Sequence, residues 1–347
     1  MLRITLVQPK EFVIDYTKIP EPSRGEILIK VFRVGVCGSD PTIYYGRHPY
    51  VKFPVIMGHE FSGTVERLGE GVQGPLPGTR VAIIPHLVCG KCKACKSEIY
   101  NYCEELCCTG AEADGAYVQY LVMPEAMVMP IPDSMTLDDA AMVEPACVAY
   151  HGAKRGHIAP AENVLIIGAG PVGIFCMQSC KALGAGQVII ADLDAWRLDL
   201  AAKLGADGVI NSSLESLDQG LTRLIGGSKE IDVFYDCVGE KGLVFDQILQ
   251  LARRGSRVVV IGVLQNGYNI PHLPDFVQHE LSLSGTTMYV PQDYRDMIEL
   301  MGQGIVKTEG MITHYFKLED IKTVFAMIEK KQEPFFKIML MVNEYDL

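Results

Sequence analysis

The sequence predicts an α/β protein in two parts: an irregular β-rich unit, then a doubly wound parallel sheet. Three observations predict it. Residues 1–150 read as short β-rich runs punctuated by glycine and proline. From "NVLIIG" onward, apolar runs alternate with helical segments, the pattern of parallel βαβ units. Where the first of these runs meets its helix stands "VLIIGAGPVG", with glycines spaced G-x-G-x-x-G.

Each element follows from local composition. "EILIKVFRVGV", "FSGTVERLGEGV", "TRVAIIP" and "AYVQYLVMP" are strand candidates of the first part. "SMTLDDAAMVEPACVAYHGAKR" turns helical, with Ser134 or Thr136 as cap and Asp138 and Asp139 in the first turn. "NVLIIG" is apolar throughout, as expected of a strand buried on both faces. The helix "PVGIFCMQSCKALGA" then closes at Gly184, followed by strand "QVIIAD", helix "AWRLDLAAKLGA" and the short strand "GVI". After a further helix, "EIDVFYDCVG" and "SRVVVIG" read as strands. From about Thr286 come helices at "QDYRDMIELMGQG" and "LEDIKTVFAMIEKK", and a last strand at "FFKIMLMV".

With 347 residues the chain is long enough for two domains and a large core. Its 48% hydrophobic and 21% charged residues suit a soluble globular protein. A formal charge of −11 argues against a nucleic-acid backbone or an anionic membrane as partner. No apolar run reaches the roughly 20 residues of a membrane span. The start, "MLRITLVQPK", carries no apolar export segment, so a cytoplasmic setting is expected. The eleven cysteines then read as metal ligands and buried thiols in a reducing compartment.

Four of them, Cys89, Cys92, Cys95 and Cys103, are spaced C-x2-C-x2-C-x7-C in a lysine-rich loop. Four thiolates can surround zinc as a closed tetrahedron, which makes such a site structural. Lys91, Lys93 and Lys96 would offset its negative charge. Iron–sulfur clusters use similar short spacings, which is the alternative. Cys107 and Cys108 fall just outside the pattern and read as spare thiols, with substitution of one of them as a ligand the alternative. Cys147, Cys176, Cys180 and Cys237 lie on apolar stretches and read as core.

Gly168, Gly170 and Gly173 follow a strand and open a helix, the context in which such spacing signals a dinucleotide. Glycine lets the backbone turn and approach a pyrophosphate, and the helix N-terminus, opening with Pro171 and Val172, offers positive dipole and, from Val172 on, backbone amides. Asp192, nineteen residues after Gly173, ends the next strand. A carboxylate there accepts hydrogen bonds from a ribose and repels a 2′-phosphate, favouring NAD over NADP. Arg197 points the other way, since a nearby arginine can accommodate that phosphate.

Cys37, His59, Glu60 and Glu144 form a second donor set. A catalytic zinc takes about three protein ligands and keeps a position open. A thiolate, an imidazole and a carboxylate serve that purpose. Each alone could be a core or surface residue; together, beside a nucleotide fold and a tetrathiol loop, they read as one site.

On "GVCGSD", "GHEFSG", the four-cysteine loop, "DGAYVQYLVMP", "VEPACVAYHG" and "IIGAGPVG", the chain resembles the medium-chain, zinc-containing alcohol dehydrogenases, in the branch of sorbitol, threonine and related polyol dehydrogenases. The resemblance runs nearly end to end. It implies a GroES-like catalytic domain from residues 1–150 and 286–347, and a Rossmann NAD-binding domain from 151–285. It also implies a homodimer or homotetramer. Cys37 and His59 match the zinc ligands; Glu60 and Glu144 match carboxylates near the metal, and which one ligates at rest is open. Ser39 matches the hydroxyl that bonds the substrate oxygen, and Asp40 a residue that orients His59. The implied reaction is hydride transfer from a zinc-bound alcohol to NAD, with Ser39 as first proton acceptor.

The chain departs from the pattern at Thr42, after Pro41, where many relatives carry a histidine that relays the proton. Threonine can link a proton path but cannot store a proton near neutral pH. Tyr44, Tyr45, His48 and bound water are candidate substitutes. Gln119 replaces the usual acid of an "EY" pair, with an expected effect on water around the zinc. Arg47, His48 and Lys52 are candidate contacts for a substrate anion. The expected substrate is a secondary alcohol of a polyol, sugar acid or related sugar derivative. L-threonine or a simple alcohol is the alternative substrate, and a non-enzymatic NAD- or redox-sensing zinc protein the alternative class. A zinc-free reductase on the same fold would lack the ligand sets present here.

Overall fold

A computed structural model describes residues 1–239, 243–263, 273–330 and 333–344. The chain forms two compact units: Met1–Glu144 with Val290–Gln303 and Met311–Leu347, and Pro145–Tyr289 with Gly304–Gly310.

The first unit opens with an antiparallel hairpin of β1 (Leu2–Gln8) and β2 (Glu11–Tyr16). Then come β3 (Glu26–Val36), α1 (Asp40–Tyr44), β4 (Glu60–Leu68), β5 (Arg80–Ile83), β6 (His86–Leu87), α2 (Lys93–Lys96), β7 (Cys107–Cys108), β8 (Tyr120–Pro124) and β9 (Val128–Pro130). Helix α3 (Leu137–Arg155) carries the chain into the second unit. Thr136 caps it: the Asp139 amide donates to Thr136 Oγ1 at 3.1 Å, and the Thr136 amide donates to Asp139 Oδ2 at 2.9 Å.

The second unit alternates β10 (Val164–Ile167), α4 (Pro171–Ala182), β11 (Val188–Asp192), α5 (Ala195–Lys203), β12 (Gly208–Asn211), α6 (Leu217–Ile225), β13 (Val233–Asp236), α7 (Leu243–Leu251), β14 (Arg257–Val260), α8 (Leu273–Gln278) and β15 (Ser282–Gly285). All six strands are parallel, in the order β12-β11-β10-β13-β14-β15. The order reverses between β10 and β13, the place where such sheets bind ligands. Cys147, Cys176 and Cys180 are fully buried core thiols, as their apolar surroundings implied, while Cys237 is half-buried.

The chain then returns to the first unit with α9 (Pro291–Gly302), β16 (Ile312–Lys317), α10 (Ile321–Lys330) and β17 (Lys337–Met341). β17 lies between β16 and β3 in the order β16-β17-β3-β4-β5-β9, with β8 also paired to β3. The first sheet is thus built from both chain ends.

By contacts, residues 145–150, 286–289 and 304–310 fall in the second unit, whereas the bounds implied by the resemblance place them in the first. The first boundary lies inside α3, where no linker composition marks it. Gly304–Gly310 is held to α4 by Gln178, whose side chain bonds both the amide and the carbonyl of Lys307, at 2.7 and 3.0 Å.

Candidate functional site

Strand pairing in the first unit brings the donor residues to one end of the sheet. β3 has Val36 opposite Ile338 of β17 and Gly35 opposite Glu60 of β4. Cys37 leaves β3 level with Lys337, and His59 sits just ahead of β4. Side chains alternate along a strand, so Gly35, Glu60 and Lys337 share one face. The Cys37 thiol, a His59 ring nitrogen and a Glu60 carboxylate oxygen lie within 4.8 Å of one another. Thiolate, imidazole and carboxylate are a donor set that zinc accepts.

Neighbouring groups fix this trio. Ser39 Oγ donates to Cys37 Sγ at 3.2 Å. Asp40 is fully buried; its Oδ2 accepts from the Cys37 amide at 2.9 Å and from the Tyr117 hydroxyl at 3.4 Å. Its Oδ1 faces His59 Nδ1 at 3.8 Å, an ion-pair distance too long for a hydrogen bond, and neither atom has a hydrogen-bond partner among the described residues. Burial raises the Asp40 carboxyl above its usual range, with His59 opposing. Burial alone would lower His59, but the adjacent Cys37, with Asp40 and Cys108, carries it well above the ordinary imidazole value.

Two residues at this centre escaped the sequence reading. Lys337 is buried and its Nζ donates to both Glu60 oxygens, at 2.9 and 2.6 Å, and to the Val36 carbonyl at 3.3 Å. A lone lysine inside "FFKIMLMV" was the available signal, since a charge in an apolar strand calls for a partner. Cys108, read as a spare thiol, is buried within electrostatic reach of His59, Glu144 and Cys37, and burial pushes it up to about 12. Glu144 is buried on α3 at 7% exposure, yet it stands outside the 4.8 Å trio.

Other candidates are committed elsewhere. Tyr44 stacks on Phe12 and lies against Phe325, and its hydroxyl donates to the Lys10 carbonyl at 3.4 Å. Burial raises its pKa. Both features make it a poor relay. Gln119 spends its side chain on the Leu2 amide at 2.7 Å and on Asn343 at 3.3 Å, contacts that serve the joining of the chain ends. Arg47 stacks over Tyr45 at 5.0 Å, and His48 Nδ1 accepts from the Tyr50 amide at 3.4 Å. Thr42 and Lys52 are exposed.

The cysteine loop gathers its four thiols within 4.8 Å. Sulfur separations of 3.5 Å (Cys92–Cys95), 3.7 Å (Cys89–Cys103) and 3.8 Å (Cys89–Cys95) approach the tetrahedral edge of about 3.8 Å that zinc–sulfur bonds of about 2.3 Å imply. Cys92 also caps α2 by accepting from the Cys95 amide at 3.4 Å, and that amide helps pull its thiol down to about 7. Lys91 pairs with Glu105 at 3.2 Å, so part of the expected counter-charge is already engaged.

In the second unit the three glycines play distinct steric parts. Gly168 has φ +103° as the chain leaves β10, a conformation that favours glycine. A Cβ on Gly173 would lie 1.8 Å from the Gly168 carbonyl oxygen, so only glycine lets helix and turn close. Gly170 caps α4 ahead of Pro171 and Val172, and a Cβ there would meet nothing nearer than an Arg197 nitrogen at 3.9 Å. The space over that helix start suits a pyrophosphate. Asp192 ends β11, its Oδ2 accepting from the Ala169 amide at 2.6 Å and its Oδ1 from Asp194 at 3.0 Å. Arg197 pairs with Asp194 at 3.5 Å and lies over Trp196.

Known proteins share both units. The family described as Alcohol dehydrogenase GroES-like domain matches residues 23–133, and that described as Zinc-binding dehydrogenase matches 171–303. Sorbitol dehydrogenase of Bacillus subtilis is 33% identical over 96% of this chain and 95% of its own. L-galactonate-5-dehydrogenase of Escherichia coli is 34% identical over 89% of each. A crystal structure of an alcohol dehydrogenase from E. coli CFT073 in complex with NADH superposes with a TM-score of 0.90, at 30% identity and 99% coverage of both chains. With the Cys37–His59–Glu60 donor trio, the tetrathiol loop and the glycine turn in place, the chain belongs to the zinc-binding medium-chain alcohol dehydrogenases.

Proposed function

We propose that this protein oxidises a secondary alcohol of a polyol, sugar acid or related sugar derivative with NAD and zinc. The observation that carries the reading is the trio of Cys37, His59 and Glu60, with the Ser39 hydroxyl 3.2 Å from Cys37 Sγ, in a chain that also holds the glycine turn and Asp192. Similarity to proteins named for sorbitol and L-galactonate supports the substrate class.

A zinc ion held by Cys37, His59 and a carboxylate from Glu60 or Glu144 would supply Lewis acidity that lowers an alcohol's pKa. The chain's own groups do the rest. Ser39 takes the alcohol proton from beside the metal-binding thiol. Asp40 anchors the Cys37 backbone and orients His59. Thr42, exposed on α1, offers the next hydroxyl toward solvent, with His48 and Tyr45 beyond it in sequence. Cys89, Cys92, Cys95 and Cys103 would hold a structural zinc. Gly168, Gly170, Pro171, Val172 and Gly173 would receive the pyrophosphate, and Asp192 the adenosine ribose. NAD is preferred to NADP because the Asp192 carboxylate would repel a 2′-phosphate while Arg197 is engaged by Asp194.

The reading includes a homodimer or homotetramer in the cytoplasm. β15 lies at the end of its sheet's strand order, with Leu283 37% exposed on it and Val277 84% exposed just before it, an edge suited to a second copy. All eleven cysteines are free thiols, which suits a reducing compartment.

The test is nucleotide reduction across polyols, sugar acids, sugar phosphates and L-threonine, with NAD and NADP in parallel. NADH formation with a polyol or sugar acid supports the reading. Turnover of L-threonine alone would replace its substrate class, and no turnover of any alcohol would remove the dehydrogenase assignment.

A further inference from the structure

In the second unit, β13 ends beside the point where the sheet order reverses, and its last residue is an acid. Asp236 is fully buried, level with Ile167 of β10 on one side and Val260 of β14 on the other. Its Oδ1 accepts from the Val238 amide at 2.9 Å and the Gly239 amide at 3.0 Å, while its Oδ2 has no hydrogen-bond partner among the described residues. Its carbonyl accepts from the amides of Ile261 and Gly262, both at 2.9 Å. Burial raises the carboxyl above its usual range, against the two amide bonds, which lower it. One residue therefore ties down the turns that follow β13 and β14. Both turns are closely packed. A Cβ on Gly168 would lie 2.9 Å from Val238 Cγ2, and one on Gly173 would lie 3.6 Å from Cys237 Cβ, so the turn after β13 rests on the glycine turn. A Cβ on Gly262 would collide with the Gly239 backbone, so the two turns also rest on each other. The turn after β14 walls a cavity of about 360 Å³, lined by Ile261, Val263, Leu283 and Thr286 among others. The Thr286 hydroxyl oxygen is buried with no hydrogen-bond partner among the described residues.

We propose that Asp236 is a positioning residue for the nicotinamide end of the dinucleotide: through the two amides it holds, it keeps the turn 237–239 wedged between the glycine turn and the turn after β14. The inference rests on the proposed use of NAD. Asp192, at the end of β11, and the glycine turn, at the end of β10, are the groups proposed for the adenosine ribose and the pyrophosphate. A dinucleotide crosses the crevice at the switch point, so its other half would run over the ends of β13 and β14. That is where Asp236 fixes the backbone, and where the cavity beside Ile261 and Val263 offers apolar walls to a flat ring. The turn needs an acceptor rather than a charge, because both donors are neutral amides.

The readout is binding and needs no alcohol. Calorimetric titrations of the full chain with NADH and with AMP are compared in wild type, Asp236→Ala and Asp236→Asn. Asp236→Ala is expected to weaken NADH about tenfold, the effect of losing buried acceptors for two amides, and to leave AMP unchanged. Asp236→Asn keeps a side-chain oxygen for both amides and is expected to bind NADH as wild type does. If Asp236→Ala does not fold, Asp236→Ser, whose hydroxyl accepts from such amides more weakly, decides by the same comparison. NADH bound as tightly by Asp236→Ala as by wild type overturns the proposal. Equal losses for AMP and NADH overturn it too, since they show a general disturbance of the fold. An Asp236→Asn protein as weak as Asp236→Ala does the same, since the group would then act by its charge. A wild-type chain that binds no NADH removes the nucleotide reading and this inference together, whereas absent alcohol turnover with NADH bound removes only the reading of the reaction.

Discussion

At the scale of single residues the account turns on a few polar atoms. Ser39 has one close partner among the donor residues, Cys37, and removing its hydroxyl removes the proposed first proton acceptor. Ser39→Ala is expected to lower kcat for alcohol oxidation by about 100-fold with zinc content unchanged, the lower range for a lost proton-transfer group. A normal rate, measured by steady-state NADH formation, would take Ser39 off the proton path. Asp192 steadies the glycine turn through the Ala169 amide and, in the proposed reading, would also meet the ribose. Asp192→Ala should raise KM for NAD about tenfold and narrow the preference over NADP, checked by comparing kcat/KM for the two nucleotides. Cys37, His59 and Glu60 were legible in the sequence as a donor set, standing in two motifs, "GVCGSD" and "GHEFSG", that resemble those of the family. Lys337 and Cys108 were not, because β17 and the segment around β7 carry them to the site from elsewhere in the chain, a fact of strand pairing rather than of spacing. Tyr44 was legible as a hydroxyl but not as a packed one, since Phe12 and Phe325 meet it only after folding.

At the scale of elements, segments with a strong period were readable and weakly patterned ones were not. The long runs of β3, β10, β11 and α4 have uniform burial or clear caps. The hairpin β1–β2 and the edge strand β15 escaped notice, and "SLSG" offers little apolar contrast. The cysteine loop is the element whose stability depends most on a bound ion. Around its four thiols stand only α2, of four residues, and the single-turn stretch Tyr100–Tyr102. Cys103→Ser should lose one zinc per chain and lower the melting temperature by about 5–10 °C, as a loss of a few kcal/mol does in a chain of this size. An unchanged melting curve would mean that the loop holds its shape without metal.

At the scale of the whole molecule, two units made from interleaved segments explain why boundary positions were the hardest to read. Helix α3 crosses from one unit to the other without a break, and β17 closes the first sheet only after the second unit is complete. The same long-range pairing delivers Lys337 to Glu60, so fold topology and site chemistry are linked. The exposed edge at β15 predicts a particle of two or four chains by light scattering; a monomer at micromolar concentration would leave that edge without a role. The claim that joins these scales is that the chain has two metal sites, one of them the seat of alcohol oxidation. Counting zinc in wild type and in His59→Ala tests it most directly. The account predicts about two zinc ions per wild-type chain, and about one in a folded His59→Ala protein that no longer forms NADH from any alcohol. A His59→Ala protein that keeps both ions, or oxidises alcohol at the wild-type rate, would contradict it.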